Sequence, residues 1–251
     1  MGSTYLVPPG PRVLAHRGLA LEAPENTLLA FAKAVAIGVV YLETDVHVSS
    51  DGVAVVAHDP TLRRVADRDV KVSQLTMAEL RRVDLGRGQG FCSLEEALDA
   101  FGEARFNIDV KVEAAVTAAV SALERTRAGS RVLLTSFSDR RRRRLGALVP
   151  DAVTSAGRSG VIRSWLASLV RSHRVMTHAL GEAVALQVPE QVGPLRLVTS
   201  RFVEVAHDAG AEVHVWTVND PARMTRLFDL GVDGIVTDRA DLALPLVAAR
   251  N

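Results

Sequence analysis

The strongest constraint on the fold is an alternation along the whole chain of short apolar segments with longer segments of helical periodicity. Eight segments have strand character: Val13–His16, Val39–Val48, Phe106–Val112, Val132–Phe137, Ala152–Ser155, Ala183–Val188, Ala211–Val218 and Gly234–Thr237. Repeated strand–helix units favour a parallel sheet, because parallel neighbours need a long crossover between them. Eight such units in 251 residues are typical of a closed (β/α)8 barrel, with a doubly wound open sheet as the alternative.

Helix boundaries and one irregular segment complete this outline. Glu25–Ile37 and Pro221–Leu230 each have a proline at or just before the start and a glycine after the end, as helices often do. The segment 59–93 breaks the alternation and contains one candidate helix, Leu75–Leu80. We therefore predict a single domain over 1–251, in which 59–93 is a cap inserted after the second strand, over one end of the barrel.

Composition excludes several classes of protein. The 30 basic and 29 acidic side chains give a net charge of +1, which argues against a dedicated nucleic-acid binder. A single cysteine excludes an internal disulfide and a multi-cysteine zinc site. No apolar run reaches the roughly 18 residues of a membrane span, and the first ten residues lack the basic-then-apolar order of a secretory signal. We expect a cytoplasmic protein, and the sequence leaves its oligomeric state open.

Charged residues interrupt two of the predicted strands on one face. Glu43, Asp45 and His47 share a face of the second strand, and Asp109 and Lys111 share a face of the third. In a barrel this face points inward, where a carboxylate needs a partner or a cation. The three carboxylates together suit Mg²⁺ or Ca²⁺, and Lys111 beside them suits an anionic ligand. Buried ion pairs or an exposed edge strand are the alternative.

Two histidines lie at or near strand ends. His16 ends the first strand and precedes Arg17, whereas His58 follows an apolar run and precedes Asp59. Alone, each is typical of a structural histidine. Beside an acidic cluster at the carboxyl ends of barrel strands, where barrel enzymes build their sites, they indicate an acid–base pair, because imidazole titrates near neutral pH.

Five short segments resemble, in order and spacing, the opening of the glycerophosphodiester phosphodiesterases: His16-Arg17-Gly18, Pro24-Glu25-Asn26-Thr27, Glu43-Thr44-Asp45-Val46, Ser50-Asp51-Gly52 and His58-Asp59. Later segments at 93–96, 107–111, 215–219 and 233–238 also resemble the family, so the resemblance covers most of the chain. It implies a TIM barrel and a metal-dependent hydrolysis of glycerophosphodiesters to glycerol 3-phosphate and an alcohol.

The resemblance also implies roles for eight residues. His16 and His58 match the general acid and base of the family. The ligands of one divalent cation, Mg²⁺ or Ca²⁺, are matched by Glu43, Asp45 and Asp109. Arg17 and Lys111 match its phosphate contacts, and Trp216 matches an aromatic wall near the substrate. The family often has a glutamate as third ligand, so the shorter Asp109 is expected to move the ion or to admit a water. The nucleophile is either the substrate's own glycerol hydroxyl, through a cyclic phosphate, or water.

Other interpretations of the sequence stay open. A phospholipase D-like enzyme acting on lysophospholipids would share this layout and need an apolar groove, for which Ile162, Trp165, Leu166 and Leu169 offer a stripe. Such a stripe more often packs on the barrel. A non-catalytic binding module is disfavoured, because all the candidate catalytic residues are present. Arg140–Arg144 is predicted to form a solvated helix face, with peripheral contact to anionic lipid headgroups as the alternative.

Overall fold

The fold is a nearly closed barrel of eight parallel strands. The computed structural model describes residues 3–250; Met1, Gly2 and Asn251, which belong to the predicted domain, lie outside the described residues. The barrel strands are β1 Arg12–His16, β2 Tyr41–Val48, β3 Arg105–Val110, β4 Val132–Thr135, β5 Val153–Thr154, β6 Ala185–Pro189, β7 Glu212–Trp216 and β8 Gly234–Thr237. They pair in the order β5-β4-β3-β2-β1-β8-β7-β6, and a parallel bridge between Ser155 and Ala185 joins the two ends. The predicted (β/α)8 barrel is therefore confirmed, and the open sheet is wrong.

Helices connect the strands and surround the barrel, except α2 and α3, which belong to the segment 59–93. They are α1 Leu28–Ala36, α2 Arg63–Ala66, α3 Met77–Arg81, α4 Leu94–Ala100, α5 Ala115–Thr126, α6 Asp139–Leu148, α7 Arg158–Leu169, α8 His173–Leu180, α9 Ser200–Asp208, α10 Pro221–Asp229 and α11 Ala240–Ala248. Helix α1 begins three residues later than predicted, because the Thr27 hydroxyl caps it by accepting a hydrogen bond from the Ala30 N–H. Among the described residues no helix is long and apolar enough to cross a membrane.

The strands separate an outer core from a layered interior. Outward-facing side chains such as Leu42, Phe106 and Ile108 are fully buried against the helices. Inside the barrel, a cluster that includes Tyr5, Leu14, Tyr41, Leu133 and Val236 fills the amino-terminal end. Because alternate residues of a strand face inward, the next inward layer of β2 carries its carboxylates. The interior is thus apolar towards one end and charged towards the other.

The segment 59–93 forms a small unit of its own beside β1 and β2. It holds α2, the 3-10 turn Val72–Gln74 and α3, around an apolar cluster with Leu62, Leu80 and Phe91. A short strand, Ala54–Val56, pairs antiparallel with β2, and the chain continues from this strand into the segment 59–93. The interpretation of the segment 59–93 as a cap over one end of the barrel stays a prediction, as does the assignment of 1–251 to a single domain.

Candidate active site

A cavity of about 650 Å³ opens at the carboxyl ends of the barrel strands. Its lining includes all eight residues singled out from the sequence: His16, Arg17, Glu43, Asp45, His58, Asp109, Lys111 and Trp216. The fold brings them together because they lie on the inward faces of the barrel strands or just beyond the end of a strand, around the end at which barrel enzymes build their sites. The structure therefore gathers them in one place, and the role of each stays a prediction.

The imidazole of His16 is oriented by a carboxylate from the last strand. Its Nδ1 lies 2.6 Å from Oδ1 of Asp238, which directly follows β8, and the Asn219 side-chain amide donates to Asp238 Oδ2 over 2.7 Å. Burial lowers the pKa of His16, but the hydrogen bond to Asp238 and the negative charge of Glu43 outweigh it, so the pKa is raised. Because Asp238 engages Nδ1, Nε2 is the ring nitrogen left for a substrate.

A second carboxylate orients His58. Its Nδ1 lies 2.7 Å from Oδ1 of Asp59, and the Arg64 Nε–H donates to Oδ2 of the same carboxylate over 2.6 Å. Arg64 also donates to both carboxylate oxygens of Glu25, at 2.8 and 2.6 Å. The segment 59–93 thus supplies both the carboxylate that positions His58 and the arginine that holds this carboxylate in place.

The inward faces of β2 and β3 carry the acidic cluster. Asp45 pairs in register with Asp109, and Glu43 pairs with Asn107. All three carboxylates are buried, with residue exposures of 7% for Glu43, 1% for Asp45 and 7% for Asp109. The Lys111 ammonium bridges two of them, 2.6 Å from Asp45 Oδ1 and 2.6 Å from Asp109 Oδ2.

Burial disfavours the ionised forms of the three carboxylates in this cluster. Burial, followed by the neighbouring charge of Asp45, raises the pKa of Glu43 to about 8. Burial also raises the pKa of Asp109. For Asp45 burial acts in the same direction, but the charge and hydrogen bond of Lys111 outweigh it and lower the pKa. An additional cation at this place would relieve the repulsion.

Arg17 is held in a fixed position at the same end of the barrel. Its backbone has a φ of +56°, and its N–H donates to a Glu43 carboxylate oxygen over 3.1 Å. Its guanidinium donates to Glu25 over 2.9 Å, and its Nε, buried 3.4 Å from Asp45 Oδ2, has no hydrogen-bond partner among the described residues. The next residue must be glycine, because a Cβ on Gly18 would lie 2.6 Å from the Ala30 carbonyl carbon.

The donors fit a hard divalent cation by type and burial. Two buried oxygens of the cluster have no hydrogen-bond partner among the described residues, Oδ1 of the Asp109 carboxylate and Oδ1 of the Asn107 amide. Across residues 3–250, however, no three His, Cys, Asp or Glu side chains are arranged to share one ion. Lys111 bridges Asp45 and Asp109, and an ion bound there would have to displace its ammonium group. The predicted metal site therefore stays a prediction.

The rest of the cavity wall is apolar, in contrast to the charged cluster on β2 and β3. Trp216, at the end of β7, packs edge-to-face against Phe137 with 6.2 Å between ring centroids. Further apolar side chains continue this wall: Val161, Ile162 and Trp165 on α7, and Val192 and Leu195 on the short hairpin Gln191–Val192/Leu195–Arg196. The cavity thus has a charged floor and an apolar outer wall.

Sequence reasoning missed the residues that orient the histidines. From the sequence, Asp238 and Asn219 are only parts of segments that resemble the family, and no role is predicted for them, for Arg64 or for Glu25. The available signal was their position, since Asp238 immediately follows β8 and Asn219 lies three residues beyond β7. Polar residues at these ends of neighbouring strands meet around the mouth of a barrel.

A barrel with a deep charged cavity at this end defines an enzyme, and comparison with known proteins identifies the family. The glycerophosphoryl diester phosphodiesterase family matches residues 16–242. A Mycobacterium tuberculosis protein, "Probable glycerophosphodiester phosphodiesterase 2", is 38% identical over 239 residues, covering 94% of this chain and 90% of that protein. The chain therefore belongs to the glycerophosphoryl diester phosphodiesterase family, and the predicted class of enzyme is confirmed.

Solved structures of relatives share the fold. A putative glycerophosphoryl diester phosphodiesterase from Silicibacter pomeroyi has a TM-score of 0.80 and 26% identity, covering 99% of this chain and 98% of its own. An Oleispira antarctica phosphodiesterase solved with sn-glycerol-3-phosphate has a TM-score of 0.78 and 24% identity, covering 95% of this chain and 97% of its own. The barrel assignment thus agrees with structures that span nearly the whole chain.

Proposed function

We propose that this enzyme hydrolyses glycerophosphodiesters to glycerol 3-phosphate and an alcohol, with His16 and His58 as the acid–base pair. The observation that supports it best is geometric. Two histidines line one cavity, each has its Nδ1 fixed by a carboxylate, and a buried cluster of acidic and basic groups lies in the same cavity. Such an arrangement suits proton transfer to and from a substrate that is itself an anion.

Each group has a task in the displacement at phosphorus. A phosphodiester repels an attacking oxygen and has a poor leaving group, so positive charge must meet its non-bridging oxygens. Arg17 and Lys111 supply that charge. One histidine accepts the proton of the attacking hydroxyl and the other protonates the departing oxygen, steps that typically contribute about 10²–10⁴-fold each.

A divalent cation, Mg²⁺ or Ca²⁺, completes the proposal. Glu43, Asp45 and Asp109 would hold it, and it would neutralise charge on the phosphoryl oxygens. The unpartnered Asp109 Oδ1 and the raised pKa of Glu43 support this placement, because a cation would accept the free oxygen as a ligand and would stabilise the ionised form of Glu43. Lys111 would then be released from its bridge to contact the phosphate.

Release of glycerol 3-phosphate from glycerophosphocholine tests the proposal. The assay compares the purified protein in EDTA, in Mg²⁺ and in Ca²⁺, beside the variants His16→Asn and His58→Asn. His173→Asn, at an exposed histidine outside the cavity, is the matched control. We expect metal-restored turnover, at least a hundredfold loss in each of the two variants, and a normal rate in the control. Near-normal turnover by either variant would refute the role of that histidine.

The apolar wall favours a second candidate substrate, a lysophospholipid. Glycerol phosphate needs only the charged floor, whereas Phe137, Trp165 and Leu195 would contact an acyl chain. In this case Trp165→Ala lowers kcat/KM for lysophosphatidylcholine and leaves that for glycerophosphocholine unchanged. If Trp165→Ala affected both substrates equally, the apolar wall would have no role in substrate selection. If the wild-type enzyme turned over lysophosphatidylcholine alone, the lysophospholipid would be the principal substrate.

A further inference from the structure

Helix α7 presents its large apolar side chains to solvent. Its buried positions hold small residues, Gly160, Ser164, Ala167 and Ser168, and this side packs against α8 and α9. The large apolar residues of the sequence stripe lie on the other side, where Ile162, Leu166 and Leu169 are 50%, 50% and 49% exposed. The expectation that this stripe packs on the barrel is therefore wrong for these three residues, whereas Trp165 is half-buried, packs against the core and lines the cavity. Small residues allow the closer helix contact and take the inner face.

The exposed side chains form one surface with the cavity mouth. We name Ile162, Leu166, Leu169 and the adjoining Val170, which is 68% exposed, the α7 patch. Ile162 belongs both to the patch and to the cavity wall, beside Phe137, Val192 and Leu195, which are themselves 61%, 57% and 43% exposed. Contiguous exposed apolar surface of this kind marks an interaction site more often than a free surface.

The segment around the α7 patch carries charge of a single sign, although the Asp139 carboxylate of α6 accepts hydrogen bonds from Ser159 in the first turn of α7. Residues 152–181 contain four arginines and neither aspartate nor glutamate. All four, Arg158, Arg163, Arg171 and Arg174, are exposed, and within residues 3–250 none of them forms an ion pair. Some exposed arginines elsewhere on the surface, such as Arg125 and Arg144, pair with glutamates, whereas others, such as Arg68 and Arg82, form no ion pair within residues 3–250 but lie outside the α7 patch. The patch thus combines apolar side chains with uncompensated positive charge.

We propose that the α7 patch docks on an anionic lipid surface, so that the cavity mouth faces the lipid. An amphipathic helix that lies in a membrane interface has this composition, with apolar side chains entering the acyl boundary and basic ones beside the headgroups. A second copy of the chain fits less well, because a symmetric dimer would bring the same arginines face to face. The docking goes beyond the proposed hydrolysis and does not depend on it.

Vesicle co-sedimentation tests the docking. The full-length protein is mixed with vesicles of phosphatidylcholine alone or with added phosphatidylglycerol. We expect it to pellet with the anionic vesicles and to be released by salt. Leu166→Glu/Leu169→Glu and Arg163→Glu/Arg174→Glu are each expected to weaken binding at least about tenfold. None of these four residues lines the cavity, so turnover of glycerophosphocholine stays at the wild-type rate.

Matched controls separate a local effect from a general one. Val35→Glu/Ile37→Glu changes apolar residues at α1 that are 40% and 41% exposed, and Arg68→Glu/Arg82→Glu changes exposed arginines in the segment 59–93. Both controls are expected to bind vesicles like the wild type. Wild-type protein that stays in the supernatant with anionic vesicles would overturn the proposal, as would binding that neither patch variant weakens. A stable dimer in light scattering that Leu166→Glu/Leu169→Glu dissociates would assign the patch to a second copy instead.

Discussion

An ion pair at the amino-terminal end of the barrel provides a quantitative test of how a buried ion pair contributes to the stability of this protein. Arg12, 3% exposed at the start of β1, donates two hydrogen bonds to Glu212 at the start of β7, over 2.6 and 2.9 Å. The same carboxylate lies 2.9 Å from Nε2 of the fully buried His214. Replacing Glu212 by glutamine keeps the shape of the side chain and leaves the Arg12 charge buried without its counter-ion.

The pKa of Glu212 gives the expected magnitude. Burial acts to raise it, but hydrogen bonds with His214 and Arg12 outweigh burial and lower the pKa from 4.5 to about 2. Each pKa unit corresponds to about 1.4 kcal/mol, so the ionised carboxylate contributes about 3 kcal/mol to the free energy of unfolding at neutral pH. Removing one partner of a buried pair typically costs a similar amount, about 3–5 kcal/mol.

The sign of the pH dependence follows from the same numbers. Because the folded pKa lies below the unfolded one, the contribution is complete above about pH 4.5 and is lost as the pH falls towards 2. The assay is urea denaturation followed by tryptophan fluorescence, for wild type and Glu212→Gln, at a series of pH values. The gap between the two proteins is expected to be about 3 kcal/mol at pH 7 and to close in acid.

A surface carboxylate serves as the control for this experiment. Glu22 pairs with Lys33 over 2.9 Å, but its side chain is 74% exposed, so Glu22→Gln is expected to leave stability unchanged within error. A Glu212→Gln variant as stable as the wild type at pH 7 would refute the reasoning. A stability gap that stays constant between pH 7 and pH 3 would refute the assignment of the effect to ionisation of this carboxylate.

Three further changes test the geometry around the cavity. Asp238→Asn is expected to lower kcat about 10–100-fold and to lower the pKa of His16 in an NMR titration. Burial lowers this pKa, and the variant loses the carboxylate hydrogen bond that raises it, so an unchanged titration would contradict the expectation. Arg64→Ala is expected to lower kcat with little change in KM, since Asp59 and His58 lose their support, and equal activity would contradict it. Gly18→Ala is expected to lose more than about 1 kcal/mol of stability in denaturation, because φ is +83° and the new Cβ meets the Ala30 backbone; wild-type stability would contradict it.

The barrel is well predicted from the sequence because each of its strands is recognisable from the residues of that strand alone. Each strand is a short apolar run, and each of the eight predicted runs overlaps one barrel strand. The inward placement of Glu43, Asp45 and Asp109 follows equally well, because residues two apart on a strand share a face. What depends on spacing within one element is therefore predictable from the chain alone.

Contacts that depend on closure of the barrel are not predictable in this way. Asp238 lies 222 residues from His16 in sequence, and only the pairing of β8 with β1 brings their side chains together. The bridge from Lys111 to Asp45 also depends on strand pairing, although not on closure, because it joins the neighbouring strands β2 and β3. Local patterns identify these residue types and leave their partners undetermined.

Helix faces show a second limit, because packing selects among several plausible sides. The run Arg140–Arg144 was expected to be solvated, yet Arg142 is 6% exposed and Arg141 donates to the carbonyl oxygens of Val110 and Lys111. Three of the five arginines are exposed as expected. The positive charge that remains free beside exposed apolar residues lies instead around α7.

The most direct test of the central claim is the identity of the phosphorus product, followed by ³¹P NMR during incubation of the purified enzyme with glycerophosphocholine. The account predicts that the diester signal is replaced by that of glycerol 3-phosphate, and that His16→Asn and His58→Asn leave the diester intact over the same period. Accumulation of choline phosphate would place cleavage on the other side of the phosphorus and contradict the account, as would wild-type product formation by either histidine variant.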